Sequence, residues 1–224
     1  MQRIRHAQEI AWVLAAICVG WLASRFWLYP TLGVPENAPM ILRPILGFVV
    51  AWWLLRRGTE HWSDFGLRQP RRWISAMAIG VALYAIVWFN AHYILPPLAA
   101  TLGTRSAPFF LGYIRGNPIA FAGWIAIAWI VGAFIEELLF RGFLLNRIAG
   151  LFDSRAAGLA VGVISQAVLF GALHFYQGSY GSVSAGLFAL IFGIVYIAGG
   201  RILWPLVIVH GIWNSVGIAA IYGL

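Results

Sequence analysis

The stretch Phe134-Ile135-Glu136-Glu137-Leu138-Leu139-Phe140-Arg141 sets two adjacent carboxylates and an arginine inside a long apolar run. A charge near the centre of a bilayer is costly, and such residues as a rule mark function. On a helix, Glu137 and Arg141 are four residues apart and share a face. Glu136 turns away from them, because each residue rotates the helix by roughly 100°. The spacing predicts a division of labour in which Arg141 neutralises Glu137 and Glu136 faces a cavity. The competing reading is a helix-end ion cluster at the membrane surface.

Working outward, the chain is apolar almost throughout. Of 224 residues, 62% are hydrophobic and 10% charged, with a mean hydropathy of +0.84. Those values predict an all-α, polytopic transmembrane helical bundle of about seven spans. The apolar stretches, set against a spanning length of roughly 20 residues, fall at about 10–28, 40–55, 73–94, 118–145, 156–175, 183–198 and 203–222. Between the first two lies a turn-rich segment with Pro30, Gly33, Pro35 and Pro39. Residues 56–72 are the most polar, with five arginines, Glu60 and Asp64. Pro96, Pro97, Gly103 and Pro108 mark a loop before a short interfacial piece at 109–114, and Pro118 suits a helix start. Residues 146–154 read as a surface connector and 177–182 as an uncharged turn. No internal repeat is visible.

The formal charge is +8, and all fifteen basic residues are arginine. Loops facing anionic lipid explain that excess. No basic patch is interleaved with exposed aromatics, so nucleic acid is not an expected partner. Arg3 and Arg5 before the first apolar run imitate a signal peptide. Arg25 and Trp27 follow that run in place of a small-residue cleavage site, so it reads as a retained span. With seven spans, the positive-inside rule puts the N-terminus in the cytoplasm and the C-terminus outside a cytoplasmic membrane to which the chain is integral. Trp12, Trp27, Trp52, Trp73, Trp124 and Trp204 read as interfacial anchors. Cys18 is the single cysteine, so no intrachain disulfide forms.

Few other strongly polar side chains fall inside the spans. His174 ends the fifth, one turn from Phe170. His210 and Asn214 share a face of the seventh by their i,i+4 spacing. Gly171 and Gly211 beside them permit close helix approach. A lone intramembrane histidine is often just a hydrogen-bond partner of a neighbouring helix. Two histidines and an asparagine together with Glu136, on three helices, read more economically as a hydrolytic constellation. His6 and His61 lie in polar flanks and His92 at a span end, and all three read as structural. Other intramembrane protease chemistries fit poorly. A Ser–Lys dyad needs a lysine, Asp64 and Asp153 lie in polar loops, H-E-x-x-H is absent, and the glycine-flanked Ser179 and Ser182 do not match a rhomboid signature.

Glu136-Glu137-x-x-x-Arg141, Phe170-x-x-x-His174 and His210-x-x-x-Asn214, in that order, resemble the three motifs of the CAAX prenyl endopeptidase and bacteriocin-processing family. This is the type II CAAX protease-like, or Abi, group of intramembrane proteases. The resemblance runs from about Pro118 to the last residue. It divides the chain into an N-terminal scaffold of about three spans at 1–116 and a protease-like core of about four spans at 117–224, expected to form one structural unit. It implies an endopeptidase acting on a membrane-associated protein or peptide. Lipidated CAAX-type proteins are the substrates of eukaryotic members, while peptide maturation or bacteriocin self-immunity fits equally. By the resemblance, Glu136 activates water with help from His174, His210 and Asn214 stabilise the oxyanion, and Glu137, Arg141 and Phe170 support them.

That assignment suits amide hydrolysis, which needs a base for water, a proton donor for the leaving amine and donors aimed at the oxyanion. Zinc stays open as a cofactor. Glu136, His174 and His210 are a His₂Glu ligand set, and members of the family have been described both as metalloproteases and as glutamate proteases. Three ligands on three helices, with no i,i+4 pair, favour a site without a cofactor. Two further readings compete: a non-enzymatic scaffold or bacteriocin-immunity partner that keeps the fold, and a small transporter with Glu136 as proton carrier. No inverted repeat supports the latter.

Counted along straight spans, Glu136 and His174 differ in depth by on the order of 10 Å. Either a re-entrant turn at 178–181 or a partly embedded connector at 142–152 would bring them level.

Overall fold

The computed structural model describes residues 2–33, 41–103 and 109–223. Pro35, Pro39, Met40, Arg105 and Pro108 lie outside them. Among the described residues every regular element is helical. Seven long helices follow one another: α1 Gln2–Leu32, α2 Leu42–Arg57, α3 Trp73–Leu102, α4 Pro118–Ala149, α5 Arg155–Leu173, α6 Gly178–Ala198 and α7 Trp204–Tyr222. A 3-10 turn, Phe109–Ile114, precedes α4. All but α2 are long and apolar enough to cross a membrane. Their outer faces carry the side chains a soluble protein would hide: Ile74 is 83% exposed and Val81 72%. The chain is an all-α integral membrane protein, as its composition predicts.

Helix starts follow from local chemistry. Asn117 Oδ1 accepts from the Ala120 amide at 3.1 Å and Pro118 takes the first position, so α4 begins there. Ser154 Oγ accepts from the Ala157 amide at 3.3 Å and starts α5.

Two expectations are corrected. Residues 146–149 belong to α4, which does not give way to a connector at Asn146. Asn146 makes this possible: its Nδ2 donates to the Gly142 carbonyl and to the Tyr196 hydroxyl, and its Oδ1 accepts from Arg201. With residues 138–145 all buried, Glu136 sits well inside α4. The second correction concerns 177–182. The chain makes one 3-10 turn at Phe175–Gln177, breaks at Gly178 with φ +79°, and is helical from there. Small residues serve helix packing here. A side chain at Gly171 would come within 2.8 Å of the Ser182 carbonyl, and Ser182 Oγ donates to the Gly171 carbonyl at 2.8 Å. α5 and α6 therefore meet backbone to backbone, and no re-entrant loop is present at 178–181.

α1 packs on α2, α5 on α6, and α7 lies between α3 and the first half of α4. α2 reaches the middle of α4, where Leu139 packs at Gly47. At one end of the bundle Arg147 pairs with Glu9 on α1 and donates to Glu60 Oε2 at 2.7 Å, and Arg5 reaches the same oxygen at 2.8 Å. Arg147 holds the Glu60 carboxyl below the ordinary glutamate range, against the opposing effect of partial burial. His6, expected in a polar flank, is buried against Gly150.

Candidate active site

α4 departs from regular α geometry around the glutamate pair. Wide π turns occupy Ala128–Ile135 before it and Leu138–Leu144 after it. Such turns recur at functional sites. Between them the two carboxylates part company.

Glu137 points inward and has no solvent exposure. Arg141 Nη1 donates to its Oε1 at 3.0 Å, and His210 Nδ1 lies 2.8 Å from the same oxygen. Arg141 is equally buried, its guanidinium 4.8 Å from the Phe170 ring and 5.2 Å from the Phe192 ring. A buried ion pair persists only where each charge is matched, and aromatic faces add to the match. An ionised Glu137 accepts only, so the bond places a proton on His210 Nδ1 and makes Nε2 the acceptor of the neutral ring. Phe188 and Phe192 hold that ring edge-on, with centroids at 4.9 and 5.8 Å.

Glu136 points the other way, into a cavity of about 630 Å³ that His174, His210 and Asn214 also line. His174 caps α5. Its Nδ1 lies 2.8 Å from the Phe170 carbonyl and its ring stacks on Phe170 at 4.4 Å. A carbonyl only accepts, so this contact likewise fixes the proton on Nδ1. Asn214 is set by α4, because a side chain at Gly132 would come within 2.9 Å of its Nδ2. One turn earlier the Trp129 ring lies flat on Gly211, and Trp129 Nε1 donates to Ser215 Oγ at 3.0 Å. The remaining walls are largely apolar, with Trp124, Phe140, Phe188 and Trp213 among them.

The sequence-derived set thus gathers around one space, with Glu137 and Arg141 directly behind it. Several contributors were not foreseen. Ile17, Arg43, Pro44, Ala91 and Leu95 bring the first three helices to the cavity wall, and Trp124, expected at an interface, lines it as well. Arg43 had a readable signal, being a lone arginine in the apolar run at 40–55, where charge is costly. Tyr176 and Trp129 had none, since aromatic residues in membrane spans are ordinarily anchors or packing. His92 keeps a local role, its Nδ1 2.8 Å from the Trp88 carbonyl.

Among the described residues no group of three His, Cys, Asp or Glu is placed to hold a metal ion. Glu136, His174 and His210 share the cavity without being gathered into such a group.

The fold and the site define a polytopic helical membrane protein with an acid, two imidazoles and an amide around an interior cavity. Residues 118–216 match the Rce1-like family model, described as type II CAAX prenyl endopeptidase Rce1-like. The matched stretch holds Glu136, Glu137, Arg141, Phe170, His174, His210 and Asn214, and helices α1 to α3 lie outside it. No curated protein and no solved structure matches the chain.

Proposed function

We propose that this protein is an intramembrane endopeptidase of the glutamate type, cleaving a peptide bond of a membrane-associated protein or peptide. The observation that carries the reading is that Glu136, His174, His210 and Asn214 line one cavity, with Glu137 withdrawn behind them against Arg141. Glu136 takes a proton from water as the water oxygen bonds to the scissile carbonyl carbon. The carbonyl electron pair moves onto oxygen, and the Asn214 amide faces the new oxyanion. The proton held by Glu136 passes by way of His174 to the leaving nitrogen, the oxyanion pair re-forms the carbonyl as the C–N bond breaks, and a carboxylic acid and an amine depart. Every step uses side chains of this chain. An apolar wall suits Glu136 to the task, because it disfavours a standing charge on a group that must hold and release a proton.

The matched family is described as a type II CAAX prenyl endopeptidase, and a lipidated C-terminal peptide is the substrate we propose first. The arginine distribution supports a cytoplasmic N-terminus. Contacts of α2 with the middle of α4 support residues 1–116 and 117–224 working as one unit. The test is Glu136→Gln in the full-length protein, with a prenylated CAAX peptide as probe. Cleavage should fall by roughly 10²–10⁴-fold while the protein elutes and unfolds as the wild type does. Undiminished cleavage would remove Glu136 as base.

A further inference from the structure

The cavity wall holds a permanent charge that the proposed hydrolysis does not use. Arg43, in the first turn of α2, is 8% exposed and lines the same space as Glu136. It stands at the N-terminus of α2, in a largely apolar wall. The backbone beneath it is pinned, since a side chain at Gly20 of α1 would meet the Arg43 Cα at 2.9 Å. Its guanidinium carbon lies 5.6 Å from the Tyr176 ring centroid, and the Tyr176 hydroxyl accepts from Gln177 Nε2 at 2.9 Å.

Arg43 and Glu136 line one cavity, and that bears on what the cavity admits. A peptide carrying a carboxylate would be repelled by Glu136 alone, and a fixed guanidinium offsets the repulsion. Guanidinium geometry matches a carboxylate with two parallel hydrogen bonds. We propose that Arg43 and Tyr176 form a subsite for a carboxylate of the peptide substrate, either its free C-terminus or an Asp or Glu side chain, and that holding it sets which peptide bond lies at Glu136. The proposal rests on the endopeptidase reading and adds to it a charge requirement on the substrate, supplied from outside the family-matched stretch.

The experiment uses the full-length protein and a quenched-fluorescence prenylated CAAX peptide in matched forms. One pair carries a free or an amidated C-terminus, and a second pair carries Glu or Gln beside the scissile bond. The wild type should favour the carboxylate member of one pair by about 10–100-fold in kcat/KM. The pair that discriminates names the source of the carboxylate. Arg43→Gln should abolish the preference, mainly through KM on the carboxylate form. Arg43→Lys should keep part of it. Equal cleavage of all forms by the wild type overturns the subsite whether or not a variant folds, as does a preference that survives Arg43→Gln. Failure of the endopeptidase reading looks different: no form is cleaved, and the wild type behaves as Glu136→Gln does.

Discussion

His210 Nδ1 stands 2.8 Å from Glu137 Oε1 across the interface between α7 and α4. The same oxygen takes the Arg141 guanidinium at 3.0 Å. Neighbours in sequence, Glu136 and Glu137 therefore serve different ends. Glu137 joins two helices and fixes the tautomer of an imidazole, while Glu136 meets the cavity.

Replacing the two should give opposite phenotypes. Glu137→Gln leaves the wholly buried Arg141 without its salt-bridge partner, which costs about 3–5 kcal/mol. Denaturant unfolding in detergent should show that loss. Glu136→Gln should unfold within about 1 kcal/mol of the wild type. Equal stability of both variants would mean that Glu137 is not the structural member of the pair.

Gly132→Ala is expected to damage activity more than stability. The added methyl would sit 2.9 Å from Asn214 Nδ2, and the amide can swing away. Misplacing an oxyanion donor costs roughly 10²–10³-fold in kcat. Gly211→Ala meets the Trp129 ring instead, and overpacking there should destabilise by about 1–3 kcal/mol. A Gly132→Ala protein with wild-type kcat would take Asn214 out of the reaction.

The ion network at Glu60 makes a pH prediction. Arg147, by its hydrogen bonds, lowers the Glu60 carboxyl below its ordinary value. A group lowered on folding binds fewer protons folded than unfolded, so its stabilisation is present above the unfolded value, about 4.3. It is lost as pH falls from there through the folded value. Unfolding midpoints should therefore drop more steeply below about pH 4.3 in the wild type than in Glu60→Gln, whose midpoint is already lower at neutral pH. Parallel acid profiles would show that Glu60 contributes nothing.

Metal removal separates the proposed chemistry from its rival. Dialysis of the full-length protein against a strong zinc chelator should leave cleavage of the prenylated CAAX peptide unchanged. Loss of activity that added zinc restores would reinstate the His₂Glu set of Glu136, His174 and His210.

Much of the architecture was legible because each helix is a long apolar run with few charges, and lipid makes such runs helical. The site was legible for the converse reason: Glu136, His174, His210 and Asn214 stand out where polar groups are expensive. What the sequence hid was order along the helices. Asn146, a polar residue that reads as loop, instead satisfies the Gly142 carbonyl and the Tyr196 hydroxyl inside α4. Gly178, Gly181 and Ser182 read as turn because small residues favour turns, yet small residues also let membrane helices touch, and here packing wins. Arg43 lies near the start of its apolar run, and only the placement of α2 against α4 brings it to the cavity.

The salt bridge between Glu137 and Arg141 lies within a single helix, one turn apart. α4 accordingly carries its own neutraliser into the bilayer and need not wait for a neighbour to cancel the charge. Insertion of this segment therefore does not depend on His210: carboxylate and guanidinium offset each other within one turn, whatever helix lies beside them.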